Sequence, residues 1–205
     1  QNLDKAFELY RRAALHDIVI AQANLGALYL EGTGREPDYA EALKWSRLAA
    51  DQGDAQAQYN LGRHYERGLG LEADMEQAAA WYEKAARQGY APAQYSLGLF
   101  YQQGAGVAQD LSSARDWYKK AAEQGVNIAN NNLGVLYLNG LGVEKDFTKA
   151  FALFTKAADA GIPIAAQNLG MMYARGLGVE ANAGKAFFAY KQAAEAGEAG
   201  AQFQL

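Results

Sequence analysis

The chain has no cysteine among its 205 residues. That excludes disulfide staples and thiolate chemistry, and it suits cytosol and periplasm equally. Histidine is nearly absent as well: His16 and His64 are the only two, 48 positions apart. A zinc centre draws several ligands at set spacing, so no metal site is expected. Both histidines read as packed or half-exposed residues, His64 at the edge of a buried helix face. No apolar run reaches about 18 residues, so no membrane insertion is expected. Basic residues number 19 against 23 acidic, for a net charge of -4. Wrapping a phosphate backbone needs many Lys and Arg on one face, so nucleic acid is not an expected partner. Gln1 opens directly into helical sequence; a signal peptide is absent or already removed from this numbering.

What the chain does contain is a repeat. Leu-Gly recurs at Leu25-Gly26, Leu61-Gly62, Leu97-Gly98, Leu133-Gly134 and Leu169-Gly170, in steps of 36 residues. An Ala stands four before each Leu and a Tyr four after it. A period of this length means a stacked array, one continuous body in which each unit touches its neighbours. The phase divides residues 1–205 into a partial repeat at 1–17, full repeats at 18–53, 54–89, 90–125, 126–161 and 162–197, and the start of another at 198–205. The half-units at the two ends read as a piece of a longer array, or as ends covered by something else.

Each unit reads as two helices. Residues 54–67 put Ala57, Leu61, Gly62 and Tyr65 on one face. A second helix runs from Asp74 to Gln88, with Ala78, Trp81, Tyr82, Ala85 and Ala86 inward. In the partial first copy, Asn2 is placed to cap a helix with Leu3, Ala6, Leu9, Tyr10, Ala13 and Ala14 on its apolar face. Asp38, Asp74, Asp110, Asp146 and Asn182 stand where second helices start, as side-chain acceptors for orphan amides. Asp38 with Glu41, and Asp74 with Gln77, have the spacing of a reciprocal capping box. Gly53, Gly89, Gly125, Gly161 and Gly197 close the second helices, and Pro92 and Pro163 open the helices that follow. The Gly of each Leu-Gly pair costs roughly 1 kcal/mol inside a helix. Close approach of a neighbouring helix is the expected compensation. Ala pairs such as Ala85-Ala86 would supply the small surface, and Trp45, Trp81 and Trp117 would fill the remaining gaps.

The pattern Ala-x-x-x-Leu-Gly-x-x-Tyr-x-x-Gly-x-Gly-Val, then Asp-x-x-Lys-Ala-x-x-Trp-Tyr-x-Lys-Ala-Ala-x-Gln-Gly, resembles the Sel-one-like repeat, a subclass of the tetratricopeptide superfamily. The resemblance covers nearly the whole chain. It implies an all-α fold, a right-handed superhelical solenoid of antiparallel helix pairs with first helices lining the inner, concave face. Departures are local. Arg35 and Leu71 replace Val, Leu153 and Ala189 replace Trp, and only Lys149 and Lys185 keep the Lys that follows the cap.

No catalytic constellation emerges. The five Gly-x-Gly turns lack the third Gly of a dinucleotide fingerprint and lead into no Gly-Lys-Ser/Thr, so they read as tight turns between helices. No Ser-x-x-Lys occurs, although some cysteine-rich relatives are linked to β-lactam binding or hydrolysis. Most carboxylates fall at caps or on helix outsides. No enzyme activity and no cofactor are expected, since function is argued from a site.

Recurring positions build the scaffold, so varying positions carry the function. On an isolated first helix, positions two before and two, five and six after each Leu lie opposite the buried stripe. They give a set of candidate partner contacts on the concave face: Tyr59, Arg63, Arg67, Tyr95, Leu99, Gln102, Asn131, Val135, Leu138, Gln167, Met171 and Arg175. Tyr, Met and Arg are enriched in interface cores and hot spots. One position before the Leu stand Asn24, Asn60, Asn132 and Asn168, able to donate and accept at once. Related tetratricopeptide clamps hold peptide backbones with Asn there, and helix–helix hydrogen bonding is the equal alternative. The expected function is binding of a protein or extended peptide. The resemblance implies envelope scaffolds, host-interaction factors and immunity proteins against secreted toxins or effectors, and with them an exported or periplasmic setting over a cytoplasmic one. The alternatives are a structural or oligomerisation module of a larger protein, and, third, a hydrolase. Oligomeric state is not legible.

Overall fold

A computed structural model of the chain describes residues 2–34 and 36–196. The expectations for Arg35, Gly197, the start of a repeat at 198–205 and the side chains of Asn2 and Leu3 lie outside what is described. The fold is all-α, a solenoid of repeated helix pairs, with eleven helices and no strand among the described residues. The chain resolves into two compact units, Gln1–Gln109 and Asp110–Leu205. The first holds α1 (Asn2–Ala14), α2 (Val19–Glu31), α3 (Tyr39–Asp51), α4 (Ala55–Arg67), α5 (Met75–Arg87) and α6 (Ala91–Gln103). The second holds α7 (Leu111–Glu123), α8 (Asn127–Asn139), α9 (Phe147–Asp159), α10 (Pro163–Arg175) and α11 (Ala183–Glu195).

The sequence punctuates these helices as read. Asp38, Asp74, Asp110, Asp146 and Asn182 each accept the backbone N–H of the residue three on. The reciprocal capping box is not formed. The N–H of Asp38 donates to the Tyr29 carbonyl and that of Asp74 to Tyr65, both orphan acceptors at the end of the preceding helix. With those N–H groups taken, Glu41 instead accepts from Lys44 and from the Trp45 indole. The Gly-x-Gly turns have a steric reason. Gly104 caps α6 in the left-handed conformation at φ 71°. Gly106, at φ 64°, lies so close to the Met75 carbonyl at the start of α5 that a Cβ would collide with it.

Inside unit 1 the core is built from Ala, Leu and one ring per helix pair. Leu25, Leu61, Ala49, Ala57 and Ala85 are fully buried. The Leu-Gly glycines do mark close approach, but not to the Ala pairs. A Cβ on Gly62 would sit 2.6 Å from the Tyr82 ring, and one on Gly26 2.7 Å from Ser46 Oγ. The tryptophans also differ from expectation. Trp45 is buried, whereas Trp81 is half-buried, with Lys84 Nζ 3.6 Å from its ring centroid. The residue after the Trp position is the one that faces the glycine. The Trp itself packs at the seam between repeats, where Trp81 flanks a cluster of Ala49 and Ala50 from the preceding repeat with Ala57 and Leu61 of its own. In α1 the buried anchor is Phe7, edge-on to Tyr29 at 5.1 Å, while Leu9 is 65% exposed and Tyr10 is also exposed. Among the described residues α1 packs mainly on α2, and its Phe7 and Ala14 share a core cluster with Trp45 of α3.

A polar ladder that the sequence reading passed over ties repeats together. Gln22, Gln58 and Gln94 are buried and donate to the carbonyls of Ala14, Ala50 and Ala86 at the ends of preceding helices. Gln52 donates to Gln22, and Gln88 to Gln58, each at 2.8 Å. Buried amides remain affordable only when so paired.

His64 is fully buried, at a position held elsewhere by Leu28, Phe100, Leu136 and Met172. Its Nδ1 donates to the Leu69 carbonyl at 2.7 Å, and its Nε2 is buried without a partner. Burial holds its pKa below the ordinary 6.5; the Leu69 bond opposes this, and Arg63 and Arg47 add to it. The unfolded chain therefore takes up a proton on this residue before the folded one does. Its contribution to stability is whole above pH 6.5 and is lost as pH falls below it. His64→Leu is expected to flatten the decline in Tm between about pH 7.5 and pH 5. An unchanged slope would refute the assignment.

In unit 2, Ala150, Phe154, Ala157, Ala165 and Met172 form the centre, each essentially inaccessible. Phe154 fills the place against Gly134 that Tyr82 fills against Gly62, with a Cβ on Gly134 falling 2.8 Å from its ring.

Candidate functional site

First helices pack side by side, as α2 does on α4, so the face opposite the second helices is partly consumed by neighbours. The position two before the Leu is buried at Ala23 and Asn131 and half-buried at Tyr59, Tyr95 and Gln167. The position two after it is half-buried throughout: Ala27, Arg63, Leu99, Val135 and Met171. Six after it, Glu31, Arg67, Gln103, Asn139 and Arg175 are all exposed. The candidates thus separate into an inset apolar strip and a polar margin.

In unit 1 they form an aromatic and charged cluster. The Tyr59 ring lies 5.4 Å from the rings of both Tyr82 and Tyr90. Arg63 stands 6.0 Å from the Tyr59 ring and 3.7 Å from Glu31 on α2. The Tyr82 hydroxyl donates to Glu66 at 2.6 Å. Burial, then the Glu66 hydrogen bond and charge, raise the Tyr82 pKa far above the ordinary phenol value. Burial likewise raises that of Tyr90. Both phenols therefore remain donors at physiological pH. Arg63 and Tyr59 are tied to each other, Arg67 is exposed, and Tyr95, Leu99 and Gln102 lie half-buried on α6.

In unit 2, Val135, Leu138 and Met171 are half-buried and packed against the core, with Gln167 half-buried and Arg175 exposed. The Asn row is engaged here in helix bridging. Asn168 Nδ2 donates to Asn131 Oδ1 at 2.9 Å across α10 and α8, and Asn131 donates to Asn132. Asn131 is 3% exposed, so its side chain is given to the helix contact and not to the surface. In unit 1 Asn24 is half-buried, whereas Asn60 is buried with Nδ2 unpartnered.

Among the described residues no group of three or more His, Asp or Glu could hold a metal ion, and no helix is long and apolar enough to cross a membrane. The second-helix side carries a recess between α7, α8 and α9 that the sequence reading missed. Its signal in the sequence is the exchange of Trp for Leu153, a local departure from the repeat pattern.

The Sel1 repeat profile matches residues 1–17, 19–54, 55–90, 91–126, 127–162 and 163–198. Among solved structures, the chain is similar to a protective antigen of uropathogenic Escherichia coli strains that displays an SLR fold. The identity is 39% and the TM-score 0.90, over 97% of this chain and 42% of that one. It is similar also to a Sel1 repeat protein from Oxalobacter formigenes, at 35% identity and TM-score 0.86, over 98% and 84%. An immunity protein from Pseudomonas aeruginosa superposes at 26% identity and TM-score 0.55, over 88% and 68%. The chain thus spans less than half the length of the Escherichia coli antigen. A search of curated proteins returned no match. With the 36-residue phase, the helix pairs and the profile in agreement from end to end, this chain belongs to the Sel1 repeat family.

Proposed function

We propose that the chain is a protein-binding scaffold whose first-helix faces receive an extended peptide or a protruding element of a partner protein. The observation that carries this is the layering of those faces. Half-buried Leu99 in unit 1, and Val135 and Met171 in unit 2, are followed by exposed Gln103, Asn139 and Arg175 one helical turn on. An inset apolar strip with a polar margin is the anatomy of an interface core and rim. Similarity to an immunity protein supports a secreted toxin or effector as the partner. No catalytic step is proposed.

The test is the double variant Tyr95→Ala with Leu99→Ala, used as bait in a bacterial lysate beside the wild type. Proteins captured by the wild type are expected to fall by about 30-fold, as for loss of a hot-spot pair, with Tm nearly unchanged. Capture at wild-type level defeats the reading, and a large fall in Tm assigns both side chains to the core instead.

A second reading, a structural module covered by further protein, is favoured by one feature. Leu9, Leu15, Ile18 and Ile20 are 65%, 64%, 51% and 70% exposed on α1, α2 and their connection. Light scattering separates the two, since self-association through that patch makes the mass rise with concentration.

A further inference from the structure

Two recesses open on the second-helix side of unit 2, and both occur where the repeat has lost its tryptophan. One, of about 320 Å³, lies between α7, α8 and α9 at Leu153. The other, of about 310 Å³, lies one repeat on at Ala189. Volume near 300 Å³ is the lower range of small-ligand sites. Most of their lining comes from equivalent positions of the two repeats, but their charge differs. The first is edged by Lys119, Lys149 and Lys156; the corresponding residues of the second are Thr155, Lys185 and Gln192.

The first recess has apolar walls, Leu133 and Leu153 among them, and its charged lining is Lys119, Lys149 and Lys156 with the single carboxylate of Glu123, a net excess of positive charge. Lys149 is shared with Asp146 at 3.0 Å and Lys119 reaches Glu123 only at 4.0 Å. Lys156 makes no ion pair among the described residues. Its wall also includes Asn130, 1% exposed, whose Nδ2 has no hydrogen-bond partner. Gln22, Gln58 and Gln94, at the same place in earlier repeats, donate to Ala carbonyls. Asn130 is one methylene shorter, and its counterpart bond to Ala122 is not made. An unmade buried donor calls for an acceptor.

We infer that the α7–α9 recess binds an apolar monocarboxylate, with the hydrocarbon part against Leu133 and Leu153 and the carboxylate held by the three lysines and Asn130. Apolar walls disfavour a bare phosphate, which has no hydrocarbon to bury. The three ammonium groups disfavour a cation or a neutral hydrocarbon alone. The source is either a free organic acid or the carboxyl terminus of a peptide ending in an apolar residue; both present the same group.

The experiment is a titration of the full chain with 3-phenylpropionate, its neutral amide, and a short peptide ending in phenylalanine with a free carboxylate, followed by calorimetry and by NMR of the Leu133 and Leu153 methyls. The acid is expected to shift those methyls and bind at least tenfold more tightly than the amide, as for a charge-assisted contact. Lys156→Gln, which copies the second recess, is expected to weaken the acid about fivefold. Leu153→Trp, which restores the residue found at position 117, is expected to abolish binding while circular dichroism stays native. Binding of the peptide as well assigns the site to a chain terminus, and binding of the acid alone assigns it to a free metabolite. Equal affinity for acid and amide, no methyl shift at millimolar acid, or undiminished binding by a folded Leu153→Trp chain overturns the inference.

Discussion

Gly62→Leu is expected to unfold unit 1. A Cβ at this position would already stand 2.6 Å from two carbons of the Tyr82 ring, and leucine adds three more carbons beyond it. Tyr82 cannot step aside. It is fully buried, its hydroxyl is held by Glu66, and its ring rests on Tyr59 at 5.4 Å and Phe100 at 5.2 Å. Overpacking of a tight core costs about 1–3 kcal/mol, and more where nothing can relax. The expected result is loss of the cooperative melt, read by circular dichroism. The double variant Gly62→Leu with Tyr82→Ala separates collision from simple helix propensity. It should be less destabilised than the sum of the single changes, by about 2 kcal/mol, because removing the ring opens the space the leucine needs. A normal melt for Gly62→Leu alone would show that the repeated glycine has no packing role and leave its helix cost unexplained.

Phe154→Ala is expected to weaken unit 2 by about 4 kcal/mol, the usual loss for emptying a buried aromatic site. Phe154 has no accessible surface, and its ring lies against Gly134. With no side chain on Gly134 to fill the gap, the cavity cannot close from that side. In a repeat array each unit leans on its neighbours alone, so the damage should stay local. Hydrogen exchange should show α8 to α11 losing protection while α2 to α5 keep theirs, with a separate melting step for unit 2 lower by roughly 20 °C. A single transition with uniform loss of protection would mean that the chain unfolds as one cooperative block.

The candidate site was less legible than the scaffold, and the residues show why. Placing side chains by angle around one helix treats that helix as isolated. It put Asn131 on an open face, but the neighbouring first helix is there, and Asn168 takes its carbonyl oxygen. Taken on that helix alone, Tyr59 and Arg63 are separate contacts for a partner; in the folded chain Arg63 stands by the Tyr59 ring and pairs with Glu31. The lysine-edged recess could not be seen from any one helix, because Lys119, Leu133 and Lys156 come from three of them.

What the chain alone determined is the local grammar: where each helix starts and stops, and which side chains recur at the buried stripe. Caps, left-handed glycines and the 3.6-residue turn act over a few residues, so they are written in adjacent letters. Tertiary structure decided which ring meets which glycine, why the indole of Trp81 lies under Lys84 while Tyr82 goes inside, and where a missing tryptophan leaves room. The glycine–ring contacts and the recess join residues on different helices, such as Gly62 with Tyr82 and Lys119 with Lys156, and packing at near-crystalline density settles them only when the helices are together.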